Sequence, residues 1–175
     1  MKQESNYMRK IGLLLVFLGW CWQGLAQENS EEKIISEVTN MAKLLQEKKY
    51  TAYANYLYPG IIAMAGSKEK LIEATKNAME QMQQNGVSIT KISFGKPEKV
   101  LVVGSEWQTT VPQVFEMSHE GKAIISEYSL IAISNDAGLH WYFIDTSGKD
   151  LATLRQSLPN LSTELVVPER KQRVE

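Results

Sequence analysis

Between Pro97 and Asp145 the chain carries three strand-like runs, VLVVGSEWQTTVPQVFEM, KAIISEYSLIAIS and LHWYFID, separated by the turn-rich tetrads SHEG and NDAG. Runs rich in β-branched and aromatic residues, punctuated by Gly, Asn, Asp and Ser, read as antiparallel strands joined by tight turns. This pattern constrains the chain more than any other, because a meander of long strands needs its apolar face covered by the rest of the protein.

The cover precedes the meander. From Ser30, a reasonable N-cap, Ile34, Ile35, Val38, Met41, Ala42 and Leu45 recur at helical spacing and predict a helix ending near Lys48 or Lys49. The segment YTAYANYLYPG predicts a second, short helix stopped by Pro59-Gly60. Its tyrosines Tyr50, Tyr53, Tyr56 and Tyr58 are expected to pack that helix on a sheet edge, with hydroxyls toward water or backbone. Ile61 to Ala65 reads as a short strand or extended connector. Ser67 opens a third helix with an apolar stripe of Leu71, Ile72, Thr75, Ala78, Met79 and Met82, closed by Asn85-Gly86. Val87 to Phe94 is a strand broken by Gly95-Lys96-Pro97. After Asp145, Ser147 with Asp150 resembles a capping box, and Leu151, Leu154 and Leu158 line a last helix ended by Pro159. The tail 159–175 ends charged and is expected to fray. Helices first and antiparallel strands after is an α+β order, with helices on one face of the sheet.

Residues 1–26 are excluded from this domain. Met8-Arg9-Lys10, the apolar run Ile11 to Trp22 and Gly24-Leu25-Ala26 have the layout of a secretory signal peptide cleaved after Ala26. The expected domain is then 27–158, secreted or periplasmic. Lipidation at Cys21, or an uncleaved leader, is the weaker, membrane-tethered alternative. Three of the 19 basic residues (Lys2, Arg9, Lys10) and one of the 20 acidic residues (Glu4) leave with the leader, so 16 cations face 19 carboxylates, net −3. That balance gives no electrostatic footprint for nucleic acid, and no basic cluster marks an anionic membrane. The only cysteine, Cys21, leaves as well, so disulfides, thiolate nucleophiles and cysteine metal ligands are not expected.

The element order over Glu31 to Asp145, with the YxxYLYPG segment, the Gly66-Ser67 helix start, the Asn85-Gly86 stop and the terminal HWYFID, resembles the NTF2-like (cystatin-like cone) superfamily. The resemblance implies a strongly curved sheet wrapped around a pocket and closed by helices, with dimers through the outer sheet face. It implies one of two kinds of function: ligand or partner binding, or chemistry in the pocket of the ketosteroid-isomerase-like or polyketide-cyclase-like kind. Fold alone does not choose between them. The segment after Asp145 goes beyond the minimal pattern of that superfamily.

A three-residue first turn, His119-Glu120-Gly121, sets Ser118 opposite Lys122, Phe115 opposite Ile125 and Gln113 opposite Glu127. A second turn at Asn135 to Gly138 sets Ala132 opposite Trp141, Leu130 opposite Phe143 and Tyr128 opposite Asp145. A bulge or edge position is expected at Pro112. On that register one face collects Leu101, Val103, Trp107, Val111, Phe115, Met117, Ile125, Ile131, Ile133, Tyr142 and Ile144, and the helices are expected against it. The other face is too apolar to be fully solvated, so either a second copy, as a homodimer, or the C-terminal segment is expected to cover it.

Catalytic chemistry is thinly supplied. His119 and His140 fall at turns, and no Ser/His/Asp, P-loop or dinucleotide pattern occurs. Of Glu106, Glu116, Glu127 and Asp145, Glu127 falls on the expected core face, where burial raises a carboxylate's pKa. Two functions follow. The first is a secreted non-enzymatic domain that binds a small apolar ligand or a protein partner, without a cofactor or metal. The second is a ketosteroid-isomerase-like enzyme with Glu127 as base, Tyr142 as hydrogen-bond donor and Trp107 lining the pocket.

Overall fold

Two long strands, β3 (Glu106–His119) and β4 (Lys122–Ser134), form a hairpin that every other strand borders. β1 (Val87–Phe94) and β2 (Leu101–Val103) pair with successive stretches of β3. β5 (Tyr142–Asp145) and β6 (Lys171–Val174) do the same along β4. The result is an antiparallel, strongly curved six-stranded sheet with helices packed on it, an α+β fold with a C-terminal helical extension. The computed structural model describes residues 30–175. The expected leader, its cleavage site and Cys21 lie outside the described residues.

Helix α1 (residues 30–46) buries Ile34, Val38, Met41 and Ala42, as its periodicity predicts. Ser30 is already helical, so it is not the N-cap expected. The helix is tied to the far edge of the sheet by Glu37, whose carboxylate accepts the Trp141 backbone N–H at 2.7 Å and pairs with Lys33 at 3.0 Å. The tyrosine segment folds as α2 (Tyr50–Tyr53) and a 3-10 turn (Ala54–Tyr56). Pro59-Gly60 does not stop it. Pro59 instead occupies the first turn of α3 (Pro59–Met64), where a missing N–H costs nothing, so the expected Ile61–Ala65 strand is helical. The extended pair before it bridges to β5, with Leu57 beside Phe143 and Tyr58 N–H donating to the Phe143 carbonyl at 3.1 Å. Helix α4 (Lys68–Gln84) starts at Ser67, whose hydroxyl accepts the Lys70 N–H, and stops at Asn85-Gly86 as expected. Its stripe is only half-buried and Ala78 is exposed, so α4 covers the sheet less fully than its pattern predicts.

The hairpin register differs from expectation by one residue. Glu120 and Gly121 both have positive φ, 51° and 78°, so the turn has two residues and His119 lies opposite Lys122. Such turns match the right-handed twist of the strands. A one-residue slip exchanges the faces of β4 relative to β3. The β4–β5 pairing differs by two residues, Ala132 opposite Phe143 and Leu130 opposite Asp145, which preserves the faces of that pair. The expected single core face is therefore split. Val111, Leu130, Ala132 and Phe143 form one core with α1, flanked by Trp107, while Ile131, Ile133 and Ile144 lie on the opposite face.

Helix α5 (Leu151–Ser157) and the segment after it cover that second face. Leu154, Leu158, Leu161 and Leu165 are buried against Ile131, Ile133 and Ile144. The C-terminal segment thus covers Ile131, Ile133 and Ile144, which the sequence reading set under the leading helices, while Leu130 and Phe143, expected on the other face, lie under α1. Asp150, rather than Ser147, caps α5, accepting the Thr153 N–H at 2.7 Å. The tail ends in a paired strand and not in the frayed coil expected, since β6 sets Lys171 to Val174 against Glu127 to Ile124. Pro112 causes no bulge in β3. Its carbonyl accepts Gly95 N–H at 2.8 Å, so its nitrogen faces the same side, where the chain crosses from β1 to β2 and ladder pairing is interrupted. The irregularity lies in β1, between Ile89 and Lys91.

Candidate functional site

The three residues singled out by sequence are not brought together. Trp107, opposite Val102 and Ser134, packs beside the helix-covered core and lines an open groove with Val100 and Lys96. Glu127 lies opposite Val114 and Lys171, and its carboxylate pairs with Arg173 on the surface. The one-residue register change puts it on the face opposite α1 and α2, where it lines a shallow cleft with Val166 and Pro168 and not the helix-covered pocket expected. Tyr142 lies opposite Ile133 and borders a cleft with Asn40, Tyr56 and His140. Trp107, Glu127 and Tyr142 therefore line three separate clefts.

A different polar cluster forms on the helix-covered face. Gln113 and Tyr128 are cross-strand partners, and Gln113 Nε2 donates to the Tyr128 hydroxyl at 2.8 Å. Asp145 is opposite Leu130, so Tyr128 is its diagonal neighbour on the same face. Tyr53 of α2 closes the cluster from the helix side, together with Met41 and Leu57. Outside it, the Arg170 guanidinium lies 5.8 Å from the centre of the Tyr128 ring. Gln113, Asp145 and Tyr53 border a cavity of about 30 Å³.

Its electrostatics follow from crowding. Asp145 is exposed along one side, yet the protein around its carboxyl desolvates it and raises its pKa. The open side limits that rise, as do the Ser147 N–H at 2.7 Å, the Ser147 hydroxyl at 3.2 Å, the adjacent Tyr128 hydroxyl and the Arg170 charge. Burial, then the Asp145 charge, raises the pKa of Tyr53. Burial and Asp145 also raise that of Tyr128, against the opposing pull of Arg170 and Gln113. Both phenols therefore stay neutral donors near pH 7, beside one carboxyl. The cavity has room for a water molecule or so. Organic ligands occupy roughly 300–1,000 Å³.

The histidines are at turns, as expected. His119 closes the hairpin opposite Lys122. The His140 ring meets Asp136 at 2.7 Å. Partial burial pushes the Asp136 pKa up, but the His140 backbone N–H, its ring and the Ser134 hydroxyl outweigh that and hold it at about 2. This carboxylate organises the loop before β5. Among the described residues no group of three or more His, Cys, Asp or Glu is placed to hold a metal.

A second network clamps the C-terminal segment. Fully buried Gln108 donates to Glu106 at 2.9 Å and to the Asn160 carbonyl at 3.0 Å, and accepts the Ser162 N–H at 2.9 Å. Asn160 Nδ2 donates to Tyr58 at 2.9 Å and Glu106 at 2.8 Å, and Tyr58 donates to Glu106 at 2.9 Å. Sequence reading missed this network and the roles of Tyr53 and Gln113. The one local signal was the pair of glutamines in β3, Gln108 and Gln113. Among the described residues, no helix is long and apolar enough to cross a membrane. Comparison with protein-family models, with curated proteins and with solved structures finds no match to this chain.

Proposed function

We propose that the protein is an exported, non-enzymatic domain of NTF2-like architecture that works by engaging a protein partner through its surface. The observation carrying this reading is the volume of about 30 Å³ beneath α1 and α2, where side chains fill the space that a ligand-binding cone would leave open. Native mass spectrometry of the protein purified from its own host tests it. The expected species start at Gln27 and carry a protein partner without a small-molecule adduct. A reproducible adduct of small-molecule mass would overturn it.

The raised pKa of Asp145 beside Tyr128 and Tyr53 favours a second reading, a ketosteroid-isomerase-like enzyme with Asp145 in the place expected for Glu127. Proton–deuterium exchange next to the carbonyl of probe ketones, followed by NMR, separates the two. Exchange catalysed by the protein and lost in Asp145→Asn would establish the enzyme. The binding domain predicts none above buffer.

A further inference from the structure

The last strand is attached differently from everything before it. Burial ends at Leu165, with Val167 packed partly against the second core, and residues 166–170 have no regular secondary structure. All four residues of β6 are exposed. The strand is held by its backbone ladder, prolonged by mutual hydrogen bonds of 2.9 and 2.8 Å between Ala123 and Glu175. Its side chains add exposed ion pairs of Arg173 with Glu127 and Glu175. Arg170 in the lead-in donates to Ser126 at 3.0 Å. Exposed ion pairs contribute little, and a segment with few buried apolar contacts opens ahead of the core.

Opening would leave residues 123–127 of β4 with unpaired backbone groups, a template for another strand. What fits that edge is already specified. Val174 lies opposite Ile124, Arg173 meets Glu127, and Lys171 lies opposite Glu127. We propose that residues 123–127 form a strand-acceptor site whose occupant in trans is the C-terminal strand of a second copy of this chain, so that two copies associate by exchanging β6. The same contacts form in either arrangement, and two-fold exchange closes the assembly as a dimer. The proposal is independent of the reading of the interior above.

Because Ala123 and Glu175 exchange both backbone hydrogen bonds, the next pair, Ile124 and Val174, is a closely spaced non-hydrogen-bonded pair, within reach of a disulfide. The full chain carrying Cys21→Ser, Ile124→Cys and Val174→Cys is prepared in isotopically heavy and light forms, mixed and oxidised. Disulfide-linked peptides that join position 124 of one isotopic form to position 174 of the other report exchange, and Val174→Cys alone measures random collision. A short tether sets an effective concentration in the millimolar range, so mixed peptides should rise at least about tenfold between about 10 µM and about 1 mM protein. A mixed share that stays at the collision level at both concentrations would overturn the proposal. The unsubstituted heavy and light chains provide a second measurement by native mass spectrometry. Mixed dimers at the higher concentration support exchange, and monomer alone there overturns it whether or not the cysteine variant folds.

Discussion

Leu161→Ala tests whether the C-terminal segment is part of the core or an appendage to it. Leu161 is 0 % exposed and packs with Ile131, Ile133, Ile144, Leu154, Leu158 and Leu165. Three of these neighbours are sheet residues held by paired strands, so the site has limited freedom to collapse around a missing side chain. Truncation should then cost about 3 kcal/mol, within the range of roughly 2–5 for buried leucines. For a domain of this size that lowers Tm by about 6–12 °C, at about 2–4 °C per kcal/mol. Val174→Ala, at a β6 residue that is 59 % exposed, should stay within about 0.5 kcal/mol. Urea unfolding followed by tryptophan fluorescence and by far-UV circular dichroism measures both and checks that the transitions coincide. If Leu161→Ala lost no more stability than Val174→Ala, the packing of this segment on the second face would be wrong.

Other perturbations are equally direct. Gly138 has φ of 87° and a Cβ there would lie 3.2 Å from the Trp107 ring, so Gly138→Ala should cost about 2 kcal/mol and alter Trp107 fluorescence. Gly104→Ala, at φ of 61° in open space, should cost about 1 kcal/mol with the fluorescence unchanged. Gln108→Ala leaves the Ser162 N–H and the Asn160 carbonyl without their partner, a loss of about 2–4 kcal/mol in urea unfolding. In the same variant, hydrogen exchange should quicken over residues 158–165 before the rest of the fold. Asp136 has a folded pKa of about 2, below its ordinary 3.8, so its contribution is present above 3.8 and lost as pH falls toward 2. Asp136→Asn should flatten the urea midpoint across that acid window and leave its slope near pH 7 unchanged.

Much of the chain was legible because its signals are local. The stripe of Ile34, Val38 and Met41, the Ser67 cap, the Asn85-Gly86 stop and the bounds of β1 depend on neighbours within a turn or two. So do the run of strands after Pro97 and the leucine line of α5. Pro59-Gly60 was ambiguous, since the same pair can end one helix or begin the next. The bridge from Leu57 to Phe143 decides for the second by fixing the chain as extended just before Pro59.

By itself, the sequence determined an α+β protein with helices leading and a meander following, because periodicities of 3.6 and 2 are properties of neighbouring residues. Register required the tertiary structure. Leu130, Ile131, Ala132 and Ile133 are consecutive and all buried, since α1 covers one face of β4 and the C-terminal leucines cover the other. A strand buried on both faces shows no alternation, so nothing in it separates a two-residue turn from a three-residue one. That single residue moves Glu127 to the surface beside Arg173 and leaves Asp145, with Tyr128, Tyr53 and Gln113, as the polar cluster beneath the helices.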